Sequence, residues 1–161
     1  MKGARRCMAA LVLLACSPAL FGVQAPDPFT GTWVLNVEKS RYPSGTCPKS
    51  MLIEMEPLPD GVRYLSTTVY GIGATLRVQY TAKYDSKEAL VQGARGLLLP
   101  VSLTRLDANT VVAAYKRGFK VVATSRREVS SNGQTMTITT TSRDKDGKNV
   151  TTIGVYDKKP L

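Results

Sequence analysis

The chain has no histidine among its 161 residues, only three cysteines and a single tryptophan. Without histidine, Ser-His and Cys-His dyads and imidazole-based zinc sites are excluded together. No glycine-rich phosphate loop follows a strand, and no aromatic-basic signature of nucleic-acid recognition is present. The apolar stretch Met8–Ala15 falls well short of the roughly 20 residues that a membrane-spanning helix needs. Nothing nominates a nucleophile, so a non-catalytic protein is expected, with no cofactor and no metal. Acidic residues are also scarce, 12 against 22 basic, for a formal net charge of +10.

What is present starts with an export signal over residues 1–25. Lys2, Arg5 and Arg6 form a positive start ahead of the apolar run, and Ser17-Pro18 interrupts it. Two cleavage readings stand side by side. Leu13-Leu14-Ala15-Cys16 resembles a bacterial lipobox, which makes Cys16 a candidate lipidation site, and Val23-Gln24-Ala25 is a small-residue site for ordinary cleavage. The expected location is therefore periplasmic, secreted or lipid-anchored in a bacterial envelope. Cys7 leaves with the signal under either reading, and Cys47 has no intramolecular partner, so the fold is not stapled. A lone thiol of this kind is expected to be a small buried hydrophobe.

Residues 26–161 form one expected domain with a single core. The three basic residues of the signal are removed with it and no acidic ones, which leaves 19 basic against 12 acidic residues, a net +7. Clusters occur at Lys116-Arg117, Lys120, Arg126-Arg127 and Arg143 to Lys148. In an exported protein such charge suits solvated sheet faces, an anionic membrane surface or an acidic polysaccharide. Nucleic acid is not an expected partner, and a monomer is.

Short β runs separated by turn signals fill this domain. Strands are expected at Thr32–Asn36, Ser50–Leu58, Val62–Tyr70, Thr75–Tyr84, Val101–Leu106, Thr110–Arg117, Lys120–Ser130, Thr135–Arg143 and Val150–Tyr156, with a weaker one at Ala89–Gln92. The clearest is Thr75–Tyr84, where Leu76, Val78, Tyr80, Ala82 and Tyr84 alternate with polar residues. Pro59-Asp60-Gly61 marks a tight hairpin. Asp144-Lys145-Asp146-Gly147 has a calcium-loop flavour but lacks the later ligands and reads as a turn. No helical periodicity appears after the signal. Regular turn spacing across about ten strands favours an antiparallel up-and-down β-barrel of 8–10 strands. Closure would remove edges that so many β-branched strands would otherwise expose.

Phe29-Thr30-Gly31-Thr32-Trp33-Val34-Leu35-Asn36 resembles the opening "F-x-G-T-W-K-L" of the fatty-acid-binding proteins, members of the calycin group with the lipocalins. Asp27 to Ser40 is similar to "N-P-F-x-G-T-W-K-L-N-x-x-K-S", the start of exported bacterial lipocalin-like proteins of unknown function, and Val155-Tyr156-Asp157-Lys158 resembles their closing "V-Y-E-K". The resemblance implies a calycin barrel in which Trp33 plugs the closed end. It also implies a carboxylate site of two arginines and a tyrosine. One arginine maps to Arg127, in Arg127-Glu128-Val129-Ser130-Ser131-Asn132-Gly133-Gln134. The closing "R-x-Y" reads Gly154-Val155-Tyr156, which keeps the tyrosine and loses its arginine. That departure argues against tight fatty-acid binding, and the short Val37–Lys49 connection leaves no room for a helical lid.

Parity along the strands adds independent candidates. Arg127 shares its face with Val121, Ala123 and Val129, and Arg105 shares one with Val101 and Leu103. An arginine on an apolar face needs a partner, either a ligand carboxylate or an internal acid or tyrosine. Tyr64, Tyr80, Tyr84 and Tyr115 fall on or near apolar faces. The expected ligand residues are therefore Arg127, Tyr156, Arg105, Tyr80 and Tyr115. The expected ligand is a small hydrophobic or amphipathic molecule such as a fatty acid or lipid fragment. The alternative is an envelope-associated structural or interaction protein with a filled barrel and a basic exterior.

Overall fold

The computed structural model describes residues 26–94 and 96–160; the expected export signal over residues 1–25, with Cys16, lies outside the described residues. Twelve strands follow in order: β1 Gly31–Arg41, β2 Ser50–Leu58, β3 Gly61–Val69, β4 Thr75–Lys83, β5 Asp85–Ala89, β6 Gln92–Gly93, β7 Gly96–Leu97, β8 Val101–Asp107, β9 Thr110–Arg117, β10 Lys120–Val129, β11 Thr135–Arg143 and β12 Asn149–Lys158. All ladders are antiparallel, in the order β5-β8-β9-β10-β11-β12-β1-β2-β3-β4-β6-β7. The sheet curls around one interior. Its two sides meet where the chain passes from β4 to β5 through Tyr84, whose amide donates to the Asp60 carbonyl at 2.8 Å. Ten strands form the wall, and β6 and β7, of two residues each, make a small ribbon hung on β4.

Sequence chemistry explains most of these elements. β2, β9 and β11 run over the residues where β-branched and apolar side chains recur. In β4, Tyr80 and Ala82 are buried while Gln79, Thr81 and Lys83 face water. The β2–β3 hairpin turns on Pro59 and Asp60, with Leu58 opposite Gly61 and Asp60 at φ 60°. Gly61 is obligatory there, because a Cβ would lie 2.3 Å from the Ala82 carbonyl oxygen.

Three expectations change. The weak strand at Ala89–Gln92 is replaced by β5, which ends at Ala89, and by β6, which starts at Gln92. Residues of β5 are almost all exposed, so it has no apolar alternation and is held by its ladder to β8. A register shift lies between Val121 and Ala123 against β9, and Val121 is left 46 % exposed instead of sharing the inner face with Arg127. β1 runs on to Arg41 through an irregularity after Asn36, so the connection to β2 shortens to residues 42–49 and contains no helix.

Adjacent strands run in opposite directions, so the connections fall at two ends. The β2–β3, β8–β9 and β10–β11 turns lie at one end, and the β1–β2, β3–β4, β9–β10 and β11–β12 connections lie at the other. Phe29 and Trp33 pack into the first end, both essentially without exposure, and the Trp33 indole donates to the Phe29 carbonyl at 2.9 Å. Burying these two rings is worth several kcal/mol, about 1.5–3 for each. This end is closed.

Candidate functional site

The interior above the Phe29–Trp33 plug holds a cavity of about 500 Å³ that reaches the open end. Its size is in the range of small-molecule sites, roughly 300–1,000 Å³. Met51, Val78, Val91, Leu98 and Ile138 give it an apolar wall, and Ser66, Thr68, Ser125 and Thr140 give it hydroxyls. Tyr42, Thr46 and Pro48 of the β1–β2 connection, with Tyr70 before the β3–β4 turn, line its mouth. A broader depression of about 910 Å³ lies on the outer face under the β6–β7 ribbon, walled by Glu54, Thr67, Arg77 and Gln79.

Arg127 is the charged group of the cavity. Strand β10 alternates from Ser125 to Val129, which points Ser125, Arg127 and Val129 inward, and Arg127 is only 3 % exposed. Its guanidinium carbon lies 5.0 Å from the ring centre of Tyr64 and 5.9 Å from that of Tyr80, two rings stacked at 4.7 Å. One amino nitrogen lies 3.4 Å from the Tyr115 hydroxyl, a long contact. The Arg127 Nε and the Tyr80 hydroxyl have no hydrogen-bond partner within the described residues. No carboxylate among the described residues pairs with Arg127 either. Burial opposes its charge, but the tyrosines around it keep its pKa above the ordinary value, and it stays cationic. Burial raises the pKa of Tyr64, Tyr80 and Tyr156, so these rings present neutral hydroxyls.

Tyr156 also lines the cavity, and its hydroxyl contacts the Met51 sulfur at 3.3 Å. At Gly154, which stands where the resemblance places a second arginine, any side chain would have to displace Tyr42 and Tyr156. A Cβ there would meet the Tyr156 ring at 2.8 Å and the Tyr42 hydroxyl at 2.9 Å. Two tyrosines occupy that place, and among the described residues Arg127 is the one cation lining the cavity.

Arg105 is set apart from the other expected ligand residues. It lies at the closed end, in an ion pair with Asp27, with its guanidinium 4.2 Å from the Tyr84 ring centre and 5.4 Å from that of Phe29. It does not line the cavity. The residues before β1 fold across the barrel base and supply its internal acid. Tyr84 is therefore part of the closed end as well. Trp33 carries Lys158 over its ring at 5.0 Å and is fully buried. Cys47, expected to be buried, is exposed in the β1–β2 connection. In the β11–β12 turn the Asp144 carboxylate accepts the amides of Asp146 and Lys148, both at 2.9 Å.

Strand parity finds Arg127, Tyr80 and Tyr115, and the closing motif finds Tyr156. Tyr42 escapes it because it lies outside the strands, where period two gives no direction, whereas Tyr70 ends the expected strand Val62–Tyr70 on the face of Val62 and Tyr64, so its direction is legible. Ser66, Thr68, Ser125 and Thr140 escape because an inward hydroxyl reads as polar and hence as solvent-facing.

No family model and no curated protein matches the chain. Among solved structures, zebrafish ileal bile acid-binding protein, in a complex with cholic acid, superposes with a TM-score of 0.56 at 12 % sequence identity, covering 82 % of this chain and 99 % of that one. At that identity the likeness speaks for the fold. The fold is an all-β antiparallel barrel like that of the zebrafish protein, with no helix among the described residues.

Proposed function

We propose that this protein is a non-catalytic, exported carrier for a small amphipathic anion. Arg127 holds the acidic group, and Tyr80, Tyr115 and Tyr156 flank the ligand. The observation that carries the reading is a buried arginine with no carboxylate partner inside a cavity of about 500 Å³. A buried charge is costly unless paired, and a ligand carboxylate or sulfonate completes both the charge and the orphan Nε through a planar fork. Burial of the ligand's apolar part then contributes about 0.8 kcal/mol per methylene.

Several features support amphipathic cargo over a plain acyl chain. The wall mixes aliphatic side chains with serine, threonine and tyrosine hydroxyls, and a single arginine suits a monoanion. The zebrafish protein of the same fold was solved with cholic acid, itself an amphipathic acid. The filled-barrel alternative is disfavoured by the cavity. Export rests on residues 1–25, with maturation either at Cys16 or after Ala25, and the intact mass of the protein recovered from the envelope separates the two.

Native mass spectrometry of protein purified without detergent, before and after organic extraction, tests the carrier reading. The expected result is a discrete acidic adduct that extraction removes and that Arg127→Met no longer retains. A bare protein that also ignores a panel of amphipathic carboxylates and sulfonates would sink it.

A further inference from the structure

The open end differs from the rest of the surface in two ways. The first is apolar exposure at the tips of its turns. Ile72, between Gly71 and Gly73 in the β3–β4 turn, is 92 % exposed, and Phe119, beside Gly118 in the β9–β10 turn, is fully exposed. An isoleucine and a phenylalanine held clear of the fold contribute nothing to the core. Ile72 lies two residues from Tyr70, which lines the cavity mouth, so it stands at the rim of the ligand site.

The second difference is charge. Arg41 and Lys49 flank the β1–β2 connection, Arg117 and Lys120 flank the Phe119 turn, and Arg143, Lys145 and Lys148 surround the β11–β12 turn, all exposed. Three acids accompany these seven cations. Asp144 accepts turn amides, Asp146 pairs with Lys145 at 3.2 Å, and Glu88 pairs with Lys116 at 3.0 Å. At the closed end charges of both signs pair, as in Asp27–Arg105 and Arg126–Glu128. The net positive charge is therefore concentrated around the mouth.

Exposed apolar tips within a ring of cations match the chemistry of an anionic bilayer. Headgroup phosphates attract the lysines and arginines, and the tips reach the acyl boundary below them. An acidic polysaccharide would satisfy the cations and leave Ile72 and Phe119 in water. We infer that the open end docks on anionic phospholipid membranes, with Ile72 and Phe119 inserted and Arg117 and Lys120 at the headgroups. In that orientation the cavity mouth faces the bilayer, and an amphipathic ligand passes between the two without crossing bulk water.

Co-sedimentation with phosphatidylcholine vesicles, with and without phosphatidylglycerol, tests this. The protein is the chain from Pro26 onward, which contains all twelve strands and lacks the apolar run of residues 8–15. Wild type is expected to bind the phosphatidylglycerol vesicles, to release at high salt, and to ignore phosphatidylcholine alone. The Ile72→Ser/Phe119→Ser variant is expected to lower partitioning by on the order of a hundredfold. Arg117→Ser and Lys120→Ser are each expected to lower it about fivefold. Neither tip packs against the core, and circular dichroism verifies that the variants fold. Failure of wild type to bind phosphatidylglycerol vesicles would overturn the inference. So would undiminished binding by the tip variant, which would mark adhesion to any polyanion.

Discussion

Two arginines point away from water in this barrel, and they are held in opposite ways. Arg105 at the closed end has Asp27 as an ion-pair partner and stacks over Tyr84 and Phe29. Arg127, deeper still, has tyrosine faces, one long hydroxyl contact and an Nε without a partner. The first is complete within the protein and braces a plug. The second leaves a charge and a donor unanswered next to a cavity. An inward arginine is thus not by itself a ligand residue; what separates the two is whether the chain supplies its own acid.

The sharpest way to break this comparison is to remove each guanidinium in turn. Arg127→Met is expected to weaken binding of an amphipathic carboxylate by about a hundredfold or more, given the ~2–5 kcal/mol lost when one member of a buried charge pair is deleted. Isothermal titration calorimetry reads this directly. Arg105→Met is expected to leave that affinity unchanged and to destabilise the fold by about 1–3 kcal/mol, because Asp27 then keeps a largely buried charge without its partner. Urea unfolding measures that loss.

A smaller effect sharpens the account of the cavity. Tyr80→Phe removes a buried hydroxyl that has no partner, and is expected to stabilise the ligand-free protein by up to about 1 kcal/mol. The same ring predicts a pH dependence. Burial raises the folded-state pKa of Tyr80 above its unfolded value of about 10. The unfolded chain therefore ionises first, and stability is lost as the pH rises through 10. Tyr80→Phe should soften this alkaline loss in equilibrium unfolding across that range, with Tyr42, Tyr64, Tyr84 and Tyr156, also raised by burial, contributing to what remains.

Much of the barrel is legible from the sequence because its strands carry strong local signals. The alternation in β4, the threonine run of β11 and the Pro59-Asp60-Gly61 turn each place an element without tertiary information. Strand β5 is illegible for a physical reason: its side chains are exposed on both faces, so only the ladder to β8 defines it. The β6–β7 ribbon is too short to have a period. At the site, parity turns Arg127 inward correctly and turns Arg105 toward the interior too, but it contains no information about partners. Asp27 lies 78 residues from Arg105 in sequence and meets it only because the segment before β1 crosses the barrel base. Val121 marks the limit of parity, since one register shift reverses a face.

The most direct test of the two-arginine account is thermal unfolding of wild type, Arg127→Met and Arg105→Met, each with and without anilinonaphthalene sulfonate, an amphipathic anion. Without the anion, Arg127→Met should be at least as stable as wild type, because an unpaired buried charge has gone; with it, wild type and Arg105→Met should both gain stability, by about 2.7 kcal/mol at a hundredfold excess over Kd, while Arg127→Met gains none. An Arg127→Met protein that is less stable than wild type and still gains on adding the anion would make Arg127 another internal brace and contradict the account.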